Sequence, residues 1–168
     1  MMKIRPKERH TILNEAALNP NGDFVLYWMT AQRRARWNHA LEHAADIASE
    51  LQKPLLVLEG LRAGYPHANR RHHSFVIDGM RANSKAFEET SATYAPFIES
   101  KPGEGKGLIK ALSQQACTVI TDDHPGFFYP QMRSSAAAQC AVSLEAVDSC
   151  GLYPLHGTDR CFFRAYDF

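Results

Sequence analysis

Phe24-Val25-Leu26-Tyr27-Trp28-Met29 follows the turn signal Asn19-Pro20-Asn21-Gly22-Asp23, and this stretch decides the fold. Its six residues are apolar without interruption, so neither face of a strand built from them tolerates water. Their β-branched and aromatic content favours a pleated conformation, and a strand buried on both faces belongs to a parallel sheet. The period then changes. From Ala31 to Gln52, Trp37, Leu41, Ala44, Ala48 and Leu51 recur at spacings of three and four, which predicts a helix with one apolar stripe. Thr30 is placed to cap its start, and Pro54 enforces its end.

The same alternation continues outward. Pro54 to Glu59 reads as a second buried strand, and a helix from about His72 to Thr90 follows it. Thr93 to Ile98 is a weaker strand interrupted by Pro96, and Leu108 to Gln115 is a short helix. Cys117 to Asp122 is a fourth strand, the residues after Pro130 up to Cys140 a helix, and Ala141 to Val147 a fifth strand. Strict alternation of strand and helix predicts an α/β fold, a doubly wound five-stranded parallel sheet with helices on both faces. Residues 1–23 read as an N-terminal extension with a helical turn around Thr11 to Leu18, and residues 24–168 as the α/β domain.

Composition narrows the function classes. The chain has 168 residues, enough for a single domain that needs no staples, with 45% hydrophobic and 22% charged residues. A formal net charge of +1 excludes the strongly basic signature of a dedicated nucleic-acid-binding domain. No apolar run approaches the ~20 residues of a membrane span, and the polar start is unlike a signal peptide, so the expected compartment is cytoplasmic with no membrane partner. Cys117, Cys140, Cys150 and Cys161 form no CxxC pair, which points to reduced thiols rather than a disulfide or metal framework.

In an open parallel sheet, ligands bind beyond the carboxyl ends of the strands, so the loops to inspect are Met29 to Arg33, Glu59 to Arg62 and Asp122 to Gly126. None carries GxGxxG or a P-loop. Gly103 to Gly107 (GEGKG) could receive phosphate on its amides at a helix entry, although a flexible loop explains it as well. Asp122-Asp123-His124 offers metal ligands, or carboxylates that cap the next helix, and capping is the favoured reading. His39 and His43 lie one helical turn apart with no third ligand in view, and they read as a surface pair. No residue takes a catalytic or metal-binding assignment from this pattern.

One set of residues carries a family resemblance. Tyr27-Trp28-Met29, Gln32-Arg33 and Asn38-His39-Ala40-Leu41, then Arg71-His72-His73-Ser74-Phe75 with Gly79-Met80, are similar to the opening of class II cyclobutane-pyrimidine-dimer photolyases. Val119-Ile120-Thr121-Asp122, Ala141 to Asp148 and Gly151-Leu152-Tyr153-Pro154-Leu155 continue the resemblance, which covers roughly Gly22 to Phe168. The chain departs from the family in its aromatic loop His124 to Pro130, in having no tryptophan beyond Trp37, and in its length.

The resemblance implies a Rossmann-like N-terminal domain that holds an antenna chromophore, a deazaflavin, folate or FMN. Strand-end position and resemblance together place Trp28, Met29, Thr30, Gln32, Arg33, Asn38, Glu59, Asp122 and Asp123 around it. It also implies a C-terminal helical domain that binds FAD and acts on damaged DNA, and none of that domain's residues is present here. The aromatic end Ala165-Tyr166-Asp167-Phe168 reads as a fragment boundary. Two other classes fit the same architecture: a stand-alone nucleotide-binding domain of the universal-stress or electron-transfer-flavoprotein type, and an interaction module docking through Arg33, Arg34, Arg36, Arg70 and Arg71.

Overall fold

The computed structural model describes residues 7–158, 160 and 163–167. Six strands form one sheet: β1 (His10–Ile12), β2 (Phe24–Met29), β3 (Leu55–Leu61), β4 (Thr93–Ile98), β5 (Ala116–Asp123) and β6 (Leu144–Asp148). The helices are α1 (His39–Leu51), α2 (Arg70–Phe87), α3 (Leu108–Ser113) and α4 (Tyr129–Ala137). The order across the sheet is β1-β6-β5-β2-β3-β4, and every pairing except β1 with β6 is parallel. The five parallel strands are those expected from the sequence. They are wound outward in both directions from β2, so the switch point lies between β2 and β5.

Alternation along β2 explains why an unbroken apolar run is needed. Val25, Tyr27 and Met29 face α1 together with Ala40, Ala44 and Ala48, and Phe87 of α2 packs in the same cluster. Leu26 and Trp28 face the other way, toward Leu108, Ile109 and Leu112 of α3 and Ala136 of α4. Three alanines on the buried side of α1 let the helix lie close to the sheet. Pro96 falls in β4, an edge strand, where a missing backbone donor costs no ladder bond.

Two local expectations change. The helical turn around Thr11 to Leu18 is absent: the chain runs antiparallel on β6 through His10–Ile12, and Asn14 then bonds both backbone groups it faces, donating to the Val142 carbonyl and accepting from the Leu144 amide. The unpaired edge of β6 offers residues 10–12 more hydrogen bonds than an isolated turn can, and isolated short helices are marginal. The first long helix also starts later than expected, at His39 with Asn38 as its cap in place of Thr30. Residues 30–32 are held instead by Asp122 at the end of β5.

The turn at Asn19 to Asp23 lies tightly against β5 rather than hanging as a linker. Asn19 donates to the Cys117 carbonyl and Asp23 to the Gln115 carbonyl. A Cβ on Gly22 would stand 2.5 Å from the Ala116 carbonyl carbon and the Cys117 nitrogen, both backbone atoms that cannot swing aside. Gly22→Ala should therefore cost about 2–3 kcal/mol in chemical unfolding, as overpacking against a rigid wall does. A variant as stable as the parent would show that the turn does not pack against β5.

Candidate functional site

The carboxyl ends of β2, β3 and β5 gather all nine residues singled out from the sequence, and their polar atoms turn mostly inward. Asp122, fully buried at the end of β5, is the centre. Its Oδ2 accepts from the backbone amides of Thr30 (2.8 Å), Ala31 (2.7 Å) and Gln32 (3.0 Å). The Thr30 hydroxyl donates to the same oxygen at 3.3 Å, and the Tyr27 hydroxyl donates to Oδ1 at 2.7 Å. Three successive amides converging on one point form an anion cradle of the type that receives phosphate in other α/β proteins. Here the chain's own carboxylate fills it. Burial and the neighbouring Asp122 push the Tyr27 hydroxyl well above its ordinary pKa, so it remains a donor.

Asn38 closes this network. Its side-chain nitrogen donates to the Tyr27 hydroxyl and to the carbonyls of Gln32 and Arg34, while its oxygen accepts from the Leu41 amide and caps α1. The helix cannot begin earlier, because Asp122 holds residues 30–32 in the cradle and Trp37 adopts a left-handed backbone with φ of 53°. Glu59, at the end of β3, anchors a second network. It accepts from Arg33 (3.1 Å), Asn83 (2.9 Å) and the Tyr94 hydroxyl (2.6 Å), and Arg33 also donates to the carbonyls of Thr30 and Gly60. Arg33 is thus committed to the interior, unlike Arg34, Arg36, Arg70 and Arg71, which are exposed. Met29 is part of the core, and Trp28 is half-buried on the α3–α4 face. Gln32 reaches Cys150 with its side chain.

The favoured reading of Asp122-Asp123-His124 as caps of the next helix does not hold. The N-cap of α4 is Phe128, and no side chain caps it. Asp122 caps the loop after β2 instead. Asp123 pairs with Arg133 of α4 at 2.9 Å and with His156 at 2.9 Å, and the His124 ring accepts from the Gly126 amide. The carboxylates were legible as strand-end acceptors. Their partners were not, because those lie 92, 10 and 33 residues away along the chain.

The glycine run repeats the theme. Gly105 and Ala63 donate their amides to the two oxygens of Glu99, at 2.9 Å each. A Cβ on Gly105 would fall 2.9 Å from the Phe97 ring and 3.2 Å from Glu99 Oε1, so a larger residue would have to push those side chains aside. Burial alone would raise the Glu99 pKa, but the amides of Gly105 and Ala63 outweigh it and hold the carboxyl below the ordinary value. A folded pKa below the unfolded one stabilises the protein fully above the unfolded value of ~4.3 and is lost as pH falls through the lower folded value. Glu99→Gln should therefore be less stable than the parent at neutral pH, and the gap should narrow in urea titrations below about pH 4. A gap that stays constant with pH would refute this role.

Above these filled cradles, the rim of the same edge is apolar and exposed. Trp37 follows β2, Phe127 and Phe128 follow β5, Leu152 and Tyr153 follow β6, and Ile98 ends β4. Trp37 and Phe127 are 86% and 89% exposed, and both hold positive φ. A left-handed backbone at two highly exposed aromatic residues marks segments shaped for something other than stability. Two concavities, of about 160 and 440 Å³, lie elsewhere, on the flank formed by α3, α4 and Leu13-Asn14.

Among the described residues Cys117, Cys140 and Cys150 are free thiols, and burial raises the pKa of Cys140 and Cys150; Cys161 lies outside the described residues. No helix among the described residues is long and apolar enough to cross a membrane.

No family model matches the chain. A deoxyribodipyrimidine photo-lyase from Methanothermobacter thermautotrophicus is 32% identical over 148 residues, which cover 88% of this chain and 32% of that protein. The Oryza sativa protein of the same name is 31% identical over 121 residues, 70% of this chain and 23% of that protein. The Arabidopsis thaliana one is 28% identical over 103 residues, 60% and 20% respectively. The chain spans about a third or less of the length of the curated relatives it matches. Among solved structures, a universal stress protein from Burkholderia pseudomallei aligns with TM-score 0.43 and 17% identity over 73% of this chain and 95% of that one. A universal stress protein in complex with cAMP aligns with TM-score 0.44 and 12% identity over 76% and 98%. Motifs and sequence relatives agree: the chain is a photolyase-like α/β domain, homologous over most of its length to deoxyribodipyrimidine photo-lyases.

Proposed function

We propose that this chain is the α/β module of a light-driven DNA repair protein and works by docking, through its carboxyl-edge rim, on a helical domain that carries FAD. The observation that carries the proposal is the pairing of sequence relatedness with that rim. Trp37, Phe127, Phe128 and Tyr153 are exposed in the segments that follow β2, β5 and β6 of a sheet whose interior cradles are already satisfied. Exposed Arg34, Arg36, Arg70 and Arg71 on the adjoining loops and the first turn of α2 add the polar margin that such an interface needs. Repair of pyrimidine dimers would then be the task of the combined protein, with damaged DNA bound chiefly by the helical partner. Electron transfer is the chemistry that FAD supplies when bound there.

The switch point does not fit the phosphate of FMN, because Asp122 occupies the amides of residues 30–32 that would receive it, and Glu99 fills a second set of amides after β4. The same filled cradles weigh against a universal-stress type of nucleotide binding. A deazaflavin or folate antenna would lie against the rim aromatics, between this module and its partner.

The test is to express the chain together with the C-terminal part of the Methanothermobacter thermautotrophicus relative. Association, and light-dependent loss of cyclobutane dimers by the pair but not by the chain alone, is the expected result. Trp37→Ala combined with Phe127→Ala should weaken association at least about tenfold, with the unfolding free energy unchanged within about 0.5 kcal/mol, as for exposed sites elsewhere. Failure to associate, with ATP or AMP raising the melting temperature instead, would overturn the proposal.

A further inference from the structure

Far from the rim, at the antiparallel edge of the sheet, three side chains converge from three elements. His10 comes from β1, Glu145 from β6 and His43 from α1. One ligand atom of each lies within 4.8 Å of the other two. His43 Nε2 and Glu145 Oε2 are 3.0 Å apart, and the His10 and His43 rings meet edge to face with centroids 4.3 Å apart. The register explains the meeting. His10 pairs with Val147 and Ile12 with Glu145, so His10 and Glu145 are diagonal neighbours on one face of an antiparallel pair. α1 lies across that face, with Ala44 and Val147 in one cluster, and His43 beside Ala44 reaches the same point.

The geometry points to a binding site for a borderline divalent cation of the zinc type, coordinated by His10, His43 and Glu145. Two imidazoles and one carboxylate form the donor set that such ions prefer, and a three-ligand site leaves one position for water. Calcium and magnesium, which favour oxygen-rich sites, are poorly matched. The ligand atoms, all within 4.8 Å of one another, would close to the spacing of a tetrahedral ion, where neighbouring ligand atoms on bonds of ~2.1 Å stand a little over 3 Å apart. All three side chains are half-buried, so an ion can enter from solvent while the hydrocarbon around it holds the rings in place. Bound there, the ion would tie the three-residue strand β1 to the body of the domain. Arg9, next to His10, holds Asp148 and the carbonyls of Gly151 and Leu152, so the ion would also steady the segment after β6.

This site differs from the pair His39 and His43 that the helical spacing suggests. His39 contacts Glu42 on its own helix, at 3.8 Å, and is no part of the cluster. The distinction supplies the test. Tag-free protein is titrated with Zn²⁺ against a chromophoric chelator, and with Co²⁺ for its visible absorption. One equivalent of Zn²⁺ should bind with a dissociation constant on the order of micromolar or tighter, and Co²⁺ should give the intense bands of a tetrahedral site. His10→Ala and Glu145→Ala should each weaken zinc binding at least about tenfold, and His39→Ala should leave it unchanged. The Co²⁺ spectrum of the unaltered chain keeps the test decisive if a variant does not fold. Binding lost in His39→Ala and kept in His10→Ala would overturn the assignment, as would no Zn²⁺ binding below about millimolar or an octahedral Co²⁺ spectrum.

Discussion

Asp122→Ala is expected to remove about 3–5 kcal/mol of stability, a large share of the ~5–15 kcal/mol that holds a domain of this size together. The carboxylate is wholly buried and accepts from three backbone amides and two hydroxyls. Deleting it strands those donors in the interior and frees the segment that sets the start of α1. Asp122→Asn should be nearly as harmful, because an amide points donors at donors on one side. Urea unfolding with far-ultraviolet circular dichroism measures the loss. A second reading separates the cradle from mere packing: acetate or phosphate at tens of millimolar should raise the melting temperature of Asp122→Ala, and chloride at equal ionic strength should not. The unaltered protein should respond to neither, since its cradle is filled. An Asp122→Ala variant indifferent to all three anions would mean that the amides of residues 30–32 do not form an anion site.

Arg9→Ala should be the second most damaging change, at about 3 kcal/mol or more. Arg9 is buried, pairs with the fully buried Asp148 at 3.4 Å, and donates to the carbonyls of Gly151 and Leu152 at 2.9 and 2.8 Å. Removing one partner of a buried pair leaves the other charge without compensation. Asp148 keeps the amides of Cys150 and Leu155, so its loop is loosened rather than destroyed. Limited proteolysis should therefore cut residues 149–158 of the variant well before the parent, at denaturant concentrations where the helices remain intact. Equal rates of cleavage would show that the arm does not hold the segment after β6.

Asp122 and Asp148 are both satisfied by the chain's own groups, Asp122 in a cradle of the kind where many α/β proteins bind a ligand. This bears on the proposed role. A module whose anion cradles are satisfied from within is rigid at the switch point and offers its rim as a preformed surface. In the proposed role, recognition would rest on Trp37, Phe127 and their neighbours, not on the polar groups beneath them.

The sequence determined the α/β class, the five parallel strands and the likeness to photolyases, and it directed attention to the carboxyl edge where the buried polar networks lie. Each follows from local patterning: Phe24 to Met29 admits no solvent-facing side, Leu41, Ala44 and Ala48 make one stripe, and Pro54 fixes a boundary. Only the tertiary structure decided what the polar residues do. A buried carboxylate takes whichever donors the winding of the chain brings to it. Asp122 therefore meets the amides of residues 30–32, which β2 delivers beside it, and not those of the helix that follows it in sequence. Likewise Arg9 finds Asp148, and His43 finds Glu145 rather than His39, because the edge of β6 captures an arm whose own sequence has no strong preference. Periodicity is a property of neighbours along the chain, whereas the satisfaction of buried polar groups is settled by neighbours in space.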